Sequence, residues 1–130
     1  MTDSTSSTDS SGLADGPVFS WYRDHNGMIY TSGHAAVDVD TLALTHGTLV
    51  EETRAALKNL KRTLAAAGSS MTKVVKITAY LTDMNQYAAF NRVYREFFPE
   101  SAGKAPARTC VEVRRLPFNF KVELEATAHT

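Results

Sequence analysis

The sequence has little of what cross-linked, metal-rich or membrane-spanning proteins need. Its 130 residues include one cysteine, which excludes an internal disulfide framework and a cysteine-rich metal site. No apolar run approaches the ~20 residues of a membrane span, and no secretory leader stands at the N-terminus, so a cytoplasmic location is expected. An excess of one charge is missing too, because 14 Lys and Arg balance 14 Asp and Glu. Zero net charge argues against electrostatically driven binding to nucleic acid or to an anionic membrane.

What is present is the composition of one globular domain with a polar N-terminal extension. Hydrophobic residues make up 43% of the chain and charged residues 22%, which are ordinary fractions for a folded protein. Residues 1–15 differ, because eleven of them are Ser, Thr or Asp. Such a segment cannot bury enough apolar surface to offset its ordering entropy. We therefore expect a disordered tail over residues 1–15 and a single domain over residues 16–130.

The first elements of the domain are predicted to be a β-hairpin and an amphipathic helix. Residues 18–22 and 28–32 have the composition of short strands, and Asn26-Gly27 between them supplies the positive φ angles of a tight turn. Thr48 and Glu51 then stand in capping-box register at the start of a helix over residues 48–67. The apolar stripe of this helix consists of Val50, Thr53, Leu57, Leu60, Leu64 and Ala67.

The second half of the domain is predicted to alternate strands with one more helix. Residues 75–81 alternate apolar and polar side chains, which is the period of a strand with one buried face. Asp83 and Gln86 form another capping-box pattern, and the helix that follows ends before Pro99. Residues 109–113 and 120–128 are the last strands. The order β-β-α-β-α-β-β predicts an α+β fold, with a mixed sheet and both helices on one face.

The uncovered face of such a sheet is expected to associate with further copies of the chain. Trp21, Tyr22 and Tyr80 would add aromatic surface to that face. Self-association is the simplest way to remove this surface from water.

Few residues stand out as carriers of chemistry. The four histidines have no helical i,i+3 or i,i+4 spacing, so the sequence predicts solvated histidines and no metal site. Cys110 is either a nucleophile activated by nearby Arg108 or a small buried thiol. Arg108 enters a predicted strand among apolar neighbours, where its guanidinium needs a partner. That partner is either a protein acid such as Glu112 or Glu123, or the carboxylate of a substrate.

Six segments of the chain stand in the order and spacing of a known family. The most specific of them runs from Pro106 to Val113 and reads Pro-Ala-Arg-Thr-Cys-Val-Glu-Val. The others are Ile29-Tyr30-Thr31-Ser32-Gly33, Ala66-Ala67-Gly68-Ser69-Ser70, Val74-Val75-Lys76, Leu81-Thr82-Asp83-Met84-Asn85 and Phe90-Asn91-Arg92-Val93-Tyr94. Over residues 16–128 the sequence resembles the RidA family, also called the YjgF family.

The resemblance implies a chorismate-mutase-like α+β fold and a homotrimer with three sites in clefts between subunits. It implies hydrolytic deamination of reactive 2-imino and enamine acids, such as 2-iminopropanoate or 2-iminobutanoate, to 2-oxo acids and ammonia, with no metal or other cofactor. Arg108 is implied to bind the substrate carboxylate, and Glu123 to hold the attacking water. Phe19, Ser32 and Cys110 are implied to line the same pocket, Cys110 through its backbone.

The chain departs from the family pattern around its first strands. Trp21-Tyr22-Arg23 is bulkier and more polar than the usual stretch of small apolar residues. In addition, Phe19 stands where a tyrosine is usual, and His34 replaces a customary glutamine. The changes at Phe19 and His34 favour an alternative function, in which a RidA-like trimer binds a small carboxylate ligand or a partner and has weak or different deaminase activity. A third hypothesis is RNA binding or cleavage by a basic patch, against which the neutral net charge and the absence of a paired acid-base histidine argue. The patch would comprise Lys58, Lys61, Arg62, Arg114 and Arg115.

Overall fold

The order of elements predicted from the sequence is confirmed. The structure is a computed structural model that describes residues 17–99 and 104–130, so the tail predicted over residues 1–15 lies outside the described residues. The described part contains five strands and two helices. They are β1 (Tyr22–His25), β2 (Met28–Thr31), α1 (Leu49–Ala66), β3 (Val74–Leu81), α2 (Tyr87–Phe97), β4 (Ala107–Glu112) and β5 (Val122–His129), with short 3₁₀ turns at Met71–Lys73, Met84–Gln86 and Pro117–Asn119.

The strands form one mixed sheet in the order β1-β2-β5-β3-β4. Neighbouring strands are antiparallel except for β3 and β4, which are parallel. Helix α2 lies between β3 and β4 in the chain, and it provides the crossover that a parallel pair requires. The mixed α+β sheet is therefore as predicted.

The first strand starts later than predicted. Asn26 (φ 50°) and Gly27 (φ 81°) take the left-handed conformation of a two-residue turn, which sets the pairing His25↔Met28 and Tyr22↔Thr31. The strand predicted over residues 18–22 is therefore wrong in its bounds. Residues 18–21 precede the sheet, and they are free to contribute to a cleft instead.

Helix α1 begins with the predicted capping box. The Thr48 hydroxyl accepts a hydrogen bond from the Glu51 N–H at 3.1 Å, and a Glu51 carboxylate oxygen accepts one from the Thr48 N–H at 2.8 Å. The second predicted box does not form. Asp83 instead accepts a hydrogen bond from the Asn85 N–H at 2.9 Å and caps the 3₁₀ turn that precedes α2.

Both helices pack on one face of the sheet, as predicted. Alternate residues of β5, from Val122 to Ala128, are buried in the same core as the apolar faces of α1 and α2. Tyr22 packs against this core, so the prediction that Tyr22 lies on the uncovered face is wrong. Trp21 packs against a smaller cluster around Phe120. Tyr80 does lie on the uncovered face, where its hydroxyl donates to Glu125 at 3.0 Å. Neither described helix is long and apolar enough to cross a membrane.

Candidate functional site

The first candidate site, here called the aromatic cleft, lies between the segment before β1 and the turn before β5. It has a volume of about 300 Å³. Glu123 and Ser32 supply its polar side chains, and most of the remaining wall is apolar. The lining residues are Phe19, Trp21, Ser32, Gly33, Ala35, Val37, Pro117, Phe118, Phe120 and Glu123.

The carboxylate of Glu123 lies directly against the backbone of Gly33. A Cβ atom added to Gly33 would collide with Glu123 Oε2, so any larger residue would have to displace the acid. Burial and the neighbouring Glu125 carboxylate both raise the pKa of Glu123. A carboxylate with a raised pKa is the type of group that exchanges protons near neutral pH.

Ser32 links the two walls of this cleft. Its hydroxyl donates to the Ser20 carbonyl at 2.6 Å, and its backbone N–H donates to the Trp21 carbonyl at 2.9 Å. These bonds hold Phe19 and Trp21, whose rings meet edge to face at 5.3 Å. Because the hydroxyl donates its proton to the protein, it retains its oxygen lone pairs towards a ligand.

The buried ring of His34 holds the backbone of Ser32 from the side of the core. Its Nδ1 donates to the Ser32 carbonyl at 2.8 Å, and its Nε2 accepts from the Thr63 hydroxyl at 2.7 Å. Burial lowers the pKa of His34 to about 4, so the ring is neutral at pH 7. The prediction of solvated histidines is therefore wrong for His34, which is buried in the core.

A second cleft, here called the arginine cleft, lies between α2 and the start of β4. It has a volume of about 310 Å³ and is lined by Tyr87, Asn91, Tyr94, Arg95, Phe98, Ala105, Pro106 and Arg108. The guanidinium of Arg108 donates to the Tyr87 hydroxyl at 2.8 Å. It also lies 4.7 Å from the centre of the Tyr94 ring and 5.5 Å from that of Phe90. Aromatic rings thus hold Arg108 in place.

Neither protein acid considered for Arg108 is its partner. Glu112 accepts a hydrogen bond from the Met84 N–H at 2.7 Å, and the structure shows no ion pair between Arg108 and any residue within 17–99 or 104–130. The Tyr94 hydroxyl nearby is buried without a hydrogen-bond partner in the same part of the chain, and burial raises its pKa to about 12. The Arg108 guanidinium and the Tyr94 hydroxyl therefore provide hydrogen-bond donors for a ligand in the arginine cleft.

Cys110 follows Arg108 on the same face of β4. It packs partly against the main core, and burial raises the pKa of its thiol. A raised pKa reduces the fraction of thiolate, which is the reactive form. Of the two readings of Cys110, the half-buried thiol agrees better with these surroundings than the activated nucleophile.

The sheet separates Arg108 from Glu123. Arg108 pairs with Ile77 of β3, whose side chain is buried beneath the helices. Glu123 pairs with Tyr80, whose side chain lies on the uncovered face. Paired residues of neighbouring strands point to the same face, so Arg108 and Glu123 lie on opposite faces within one chain. A ligand in contact with both requires a second copy of the protein.

Comparisons with known proteins agree with the motifs. Residues 14–130 match the family model described as Endoribonuclease L-PSP. The chain belongs to this family, which is the RidA (YjgF) family that the sequence resembles. A RutC family protein of Pyrococcus horikoshii is 43% identical over 102 residues, covering 78% of this chain and 79% of that protein.

Two other members of the family carry names or ligands that concern function. The 2-iminobutanoate/2-iminopropanoate deaminase of Salmonella typhimurium is 38% identical over 124 residues, covering 95% of each chain. The crystal structure of Escherichia coli TdcF with bound serine has a TM-score of 0.78 and 36% identity, covering 88% of this chain and 89% of that one. The fold of this chain is thus the RidA-family fold.

Three residues of the RidA-family domain contribute to the aromatic cleft but were not singled out in the sequence. Phe118 and Phe120 form one wall, and His46 holds them, since its Nε2 donates to the Phe118 carbonyl at 2.7 Å and its ring stacks on Phe120 at 4.5 Å. His46 is exposed, as predicted for a solvated histidine, and its ring also makes these two contacts. The run Pro117-Phe118-Asn119-Phe120, with two aromatics around a turn-forming Asn, was the available signal.

Metal ligands are not grouped in the described part of the chain. No three His, Cys, Asp or Glu side chains within residues 17–99 and 104–130 are placed to hold a metal ion. The charged side chains that line the two clefts are instead Arg95 and Arg108 in the arginine cleft and Glu123 in the aromatic cleft.

Proposed function

We propose that the protein hydrolyses reactive 2-imino acids, such as 2-iminopropanoate or 2-iminobutanoate, to 2-oxo acids and ammonia. A relative named as a deaminase of these two imines, at 38% identity over nearly the whole chain, supports this activity. The observation that carries the proposal is the state of Arg108. Its guanidinium is fixed by aromatic rings and the Tyr87 hydroxyl, while no carboxylate in the described residues neutralises it.

A carboxylate ligand is the natural complement of this arginine. The planar guanidinium offers parallel N–H donors that match the two oxygens of a carboxylate. Fixing the acid end of a 2-imino acid in this way orients the imine carbon for attack. A family member binds serine, which also carries a carboxylate, and this agrees with the assignment.

Glu123 is proposed to position the water and to move the protons. Water held by the carboxylate attacks the imine carbon, and Glu123 takes one of its protons and passes it to the nitrogen, which gives a carbinolamine. Glu123 then takes the hydroxyl proton of the carbinolamine and delivers it to the nitrogen, so that the C–N bond breaks, ammonia leaves and the C=O bond of the 2-oxo acid forms. The imine carbon is already electrophilic, so these steps require no metal and no organic cofactor.

The complete site is proposed to form between subunits of a homotrimer. Arg108 and Glu123 lie on opposite faces of one sheet, so the aromatic cleft of one subunit would have to face the arginine cleft of the next. Phe19 and Ser32 would then contact the substrate from the Glu123 side, and Cys110 from the Arg108 side. The cytoplasmic location expected from the sequence stays a prediction.

The alternative is a trimer that binds a carboxylate ligand and turns it over weakly. The missing hydroxyl at Phe19 favours it, because substrate would lose one hydrogen bond there. RNA binding is less favoured by the geometry, since Arg62 is already paired with Asp38 at 3.1 Å and with Asp40. The basic patch thereby loses one of its five members.

The Arg108→Ala variant tests the enzyme proposal. 2-Iminopropanoate is generated in place from serine by a dehydratase, and pyruvate formation is followed while semicarbazide competes for the imine. We expect wild-type protein to accelerate pyruvate formation and Arg108→Ala to abolish the acceleration. Arg108→Lys should restore little, because an ammonium group is a point charge without the planar fork.

Folding of the Arg108→Ala variant is the control. Arg108 has no buried acid partner in the described residues, so its removal leaves no unpaired charge, and the circular dichroism and melting temperature should stay near wild type. A folded Arg108→Ala protein that hydrolyses the imine at the wild-type rate would contradict the mechanism. Binding of 2-oxobutanoate by a wild-type protein with no hydrolysis would establish the alternative.

A further inference from the structure

We propose that the aromatic cleft is a side-chain subsite for 2-imino acids with a bulky apolar or aromatic side chain, and that Phe118 sets this preference. The inference rests on the proposed imine hydrolysis and names its substrate class. Imines with one or two carbons in the side chain would then be minor substrates of this particular chain.

The volume of the cleft exceeds what a small imino acid needs. An apolar cavity of about 150 Å³ is large enough to bind benzene, whereas the aromatic cleft measures about 300 Å³. A ring-sized side chain therefore fits beside the reacting carbon. A methyl or ethyl group would leave most of the apolar wall in contact with water.

The positions of the polar groups in the cleft define the orientation in which a substrate would bind. Glu123 and Ser32 would face the imine, while Phe19, Trp21 and Phe118 offer mainly ring surfaces. Binding of aromatic and aliphatic groups to such walls is stabilised in proportion to the apolar area removed from water. The substrate would bind with its reacting end at Glu123 and its side chain between the rings.

Phe118 is held in the wall at a cost in backbone energy. It has φ 60° and ψ 20°, and Asn119 follows with φ 60°, a left-handed conformation that is unusual for a bulky residue. The hydrogen bond from His46 to the Phe118 carbonyl and the stacking of His46 on Phe120 maintain it. Strained backbone of this type concentrates where proteins grip ligands, which agrees with a ring placed to contact a substrate.

The kinetic test compares an aromatic imine with a small one. 2-Imino-3-phenylpropanoate and 2-iminopropanoate are generated by an amino acid oxidase from phenylalanine and alanine, and hydrolysis is measured against semicarbazide capture. We expect wild-type kcat/KM to be higher for the aromatic imine. Phe118→Leu should lower the ratio of the two kcat/KM values about tenfold, the scale of losing part of an apolar pocket.

Phe97→Leu is the matched control. Phe97 is also a half-buried phenylalanine, but it packs against the main core on α2 and does not line either cleft. The same substitution there should leave the ratio unchanged. An equal fall of the ratio in both variants would overturn the assignment of Phe118.

Binding can be measured independently of turnover. Trp21 is the one tryptophan of the chain and lines the aromatic cleft, so its fluorescence reports what occupies the cleft. We expect 3-phenylpropanoate to change the emission at lower concentration than propanoate, and Phe118→Leu to reduce this difference. Equal responses to both probes would overturn the subsite.

The outcomes separate this inference from the proposed function. Hydrolysis of 2-iminopropanoate without hydrolysis of the aromatic imine overturns the subsite and leaves the proposed function intact. Hydrolysis of neither imine overturns the proposed function, and the substrate class with it. A Phe118→Leu variant that weakens trimer association without changing the ratio shows that a second copy of the chain occupies the cleft, which also overturns the subsite.

Discussion

At the scale of single residues, His34 shows how a buried ring can fix a segment that lines a cleft. Both ring nitrogens are used, since Nδ1 donates to the Ser32 carbonyl and Nε2 accepts from the Thr63 hydroxyl. Protonation would place a second N–H against the Thr63 hydroxyl and a charge in the core. The neutral ring is therefore part of the folded structure beneath Ser32 and Gly33.

This arrangement predicts a loss of stability in mild acid. The folded state holds the pKa of His34 near 4 and the unfolded chain near 6.5, so unfolded protein takes up a proton first as the pH falls. Stability present above pH 6.5 should decline towards pH 4, by up to about 3 kcal/mol. Urea unfolding at several pH values measures this decline.

His34→Gln is the matched control for that prediction. A glutamine amide can form hydrogen bonds with Ser32 and Thr63 and does not titrate. The variant should therefore lose the part of the decline that falls between pH 6.5 and pH 4. An identical decline in both proteins would assign it to other groups.

At the scale of elements, Glu52 fastens the start of α1 to the start of β5. Its buried carboxylate accepts the Lys121 N–H at 2.7 Å and the Gly47 N–H at 3.1 Å, and it pairs with the Lys121 ammonium at 3.4 Å. We expect Glu52→Gln to cost about 3 kcal/mol, because an amide NH₂ would face donors. Denaturant unfolding gives the value.

A surface pair supplies the comparison. Glu96→Gln makes the same change in the half-exposed ion pair with Arg54, where the expected loss of stability is much smaller because solvent screens the pair. Equal losses at both sites would show that burial does not determine the contribution of Glu52.

Strand β5 also carries Glu125, whose charge affects the pKa of Glu123. Glu125 raises the pKa of Glu123 through charge repulsion, in addition to burial. Removing the charge with Glu125→Gln should lower that pKa and shift the acid limb of the rate profile to lower pH. The amide oxygen still accepts from the Tyr80 hydroxyl. Glu112→Gln, on the other face of the sheet, should leave the limb in place.

The elements could be predicted because their signals are local. The Thr48–Glu51 capping box and the Asn26-Gly27 turn each depend on residues within four positions of one another, and both form as expected. The start of β1 was misplaced because its pairing is set by the turn and not by the composition of residues 18–21. Propensity alone does not contain that register.

The candidate site could be predicted only in part. Arg108 and Glu123 came from a family motif, but their separation by the sheet depends on strand pairing between segments far apart in the chain. The burial of His34 depends on Thr63 of α1 and Trp21, contacts that no local pattern encodes. The position of the Phe118 ring depends on a left-handed backbone conformation, which sequence patterns do not predict for a bulky residue.

At the scale of the whole molecule, the proposed intersubunit site predicts complementation between inactive variants. Arg108→Ala and Glu123→Gln subunits each lack one half of the site. In trimers assembled at random from equal amounts, about one interface in four combines an intact Arg108 with an intact Glu123, so about a quarter of the wild-type activity should return. The imine assay after unfolding and refolding together measures it.

Two observations check the assembly behind that prediction. Light scattering should give three times the subunit mass, and each variant refolded alone should stay inactive. A mixture that stays inactive although mixed trimers form would place Arg108 and Glu123 in sites that do not meet.

The placement of Arg108 and Glu123 on opposite faces of the sheet also predicts how the activity of the protein changes on dilution. Two opposite charges within reach of one another would neutralise each other in a lone subunit, whereas the proposed intersubunit site leaves both available for a second subunit. We therefore expect turnover per subunit to fall steeply once the concentration drops below that of trimer dissociation, although every subunit remains folded. The amount of protein in a cell would then govern the amount of activity more than proportionally.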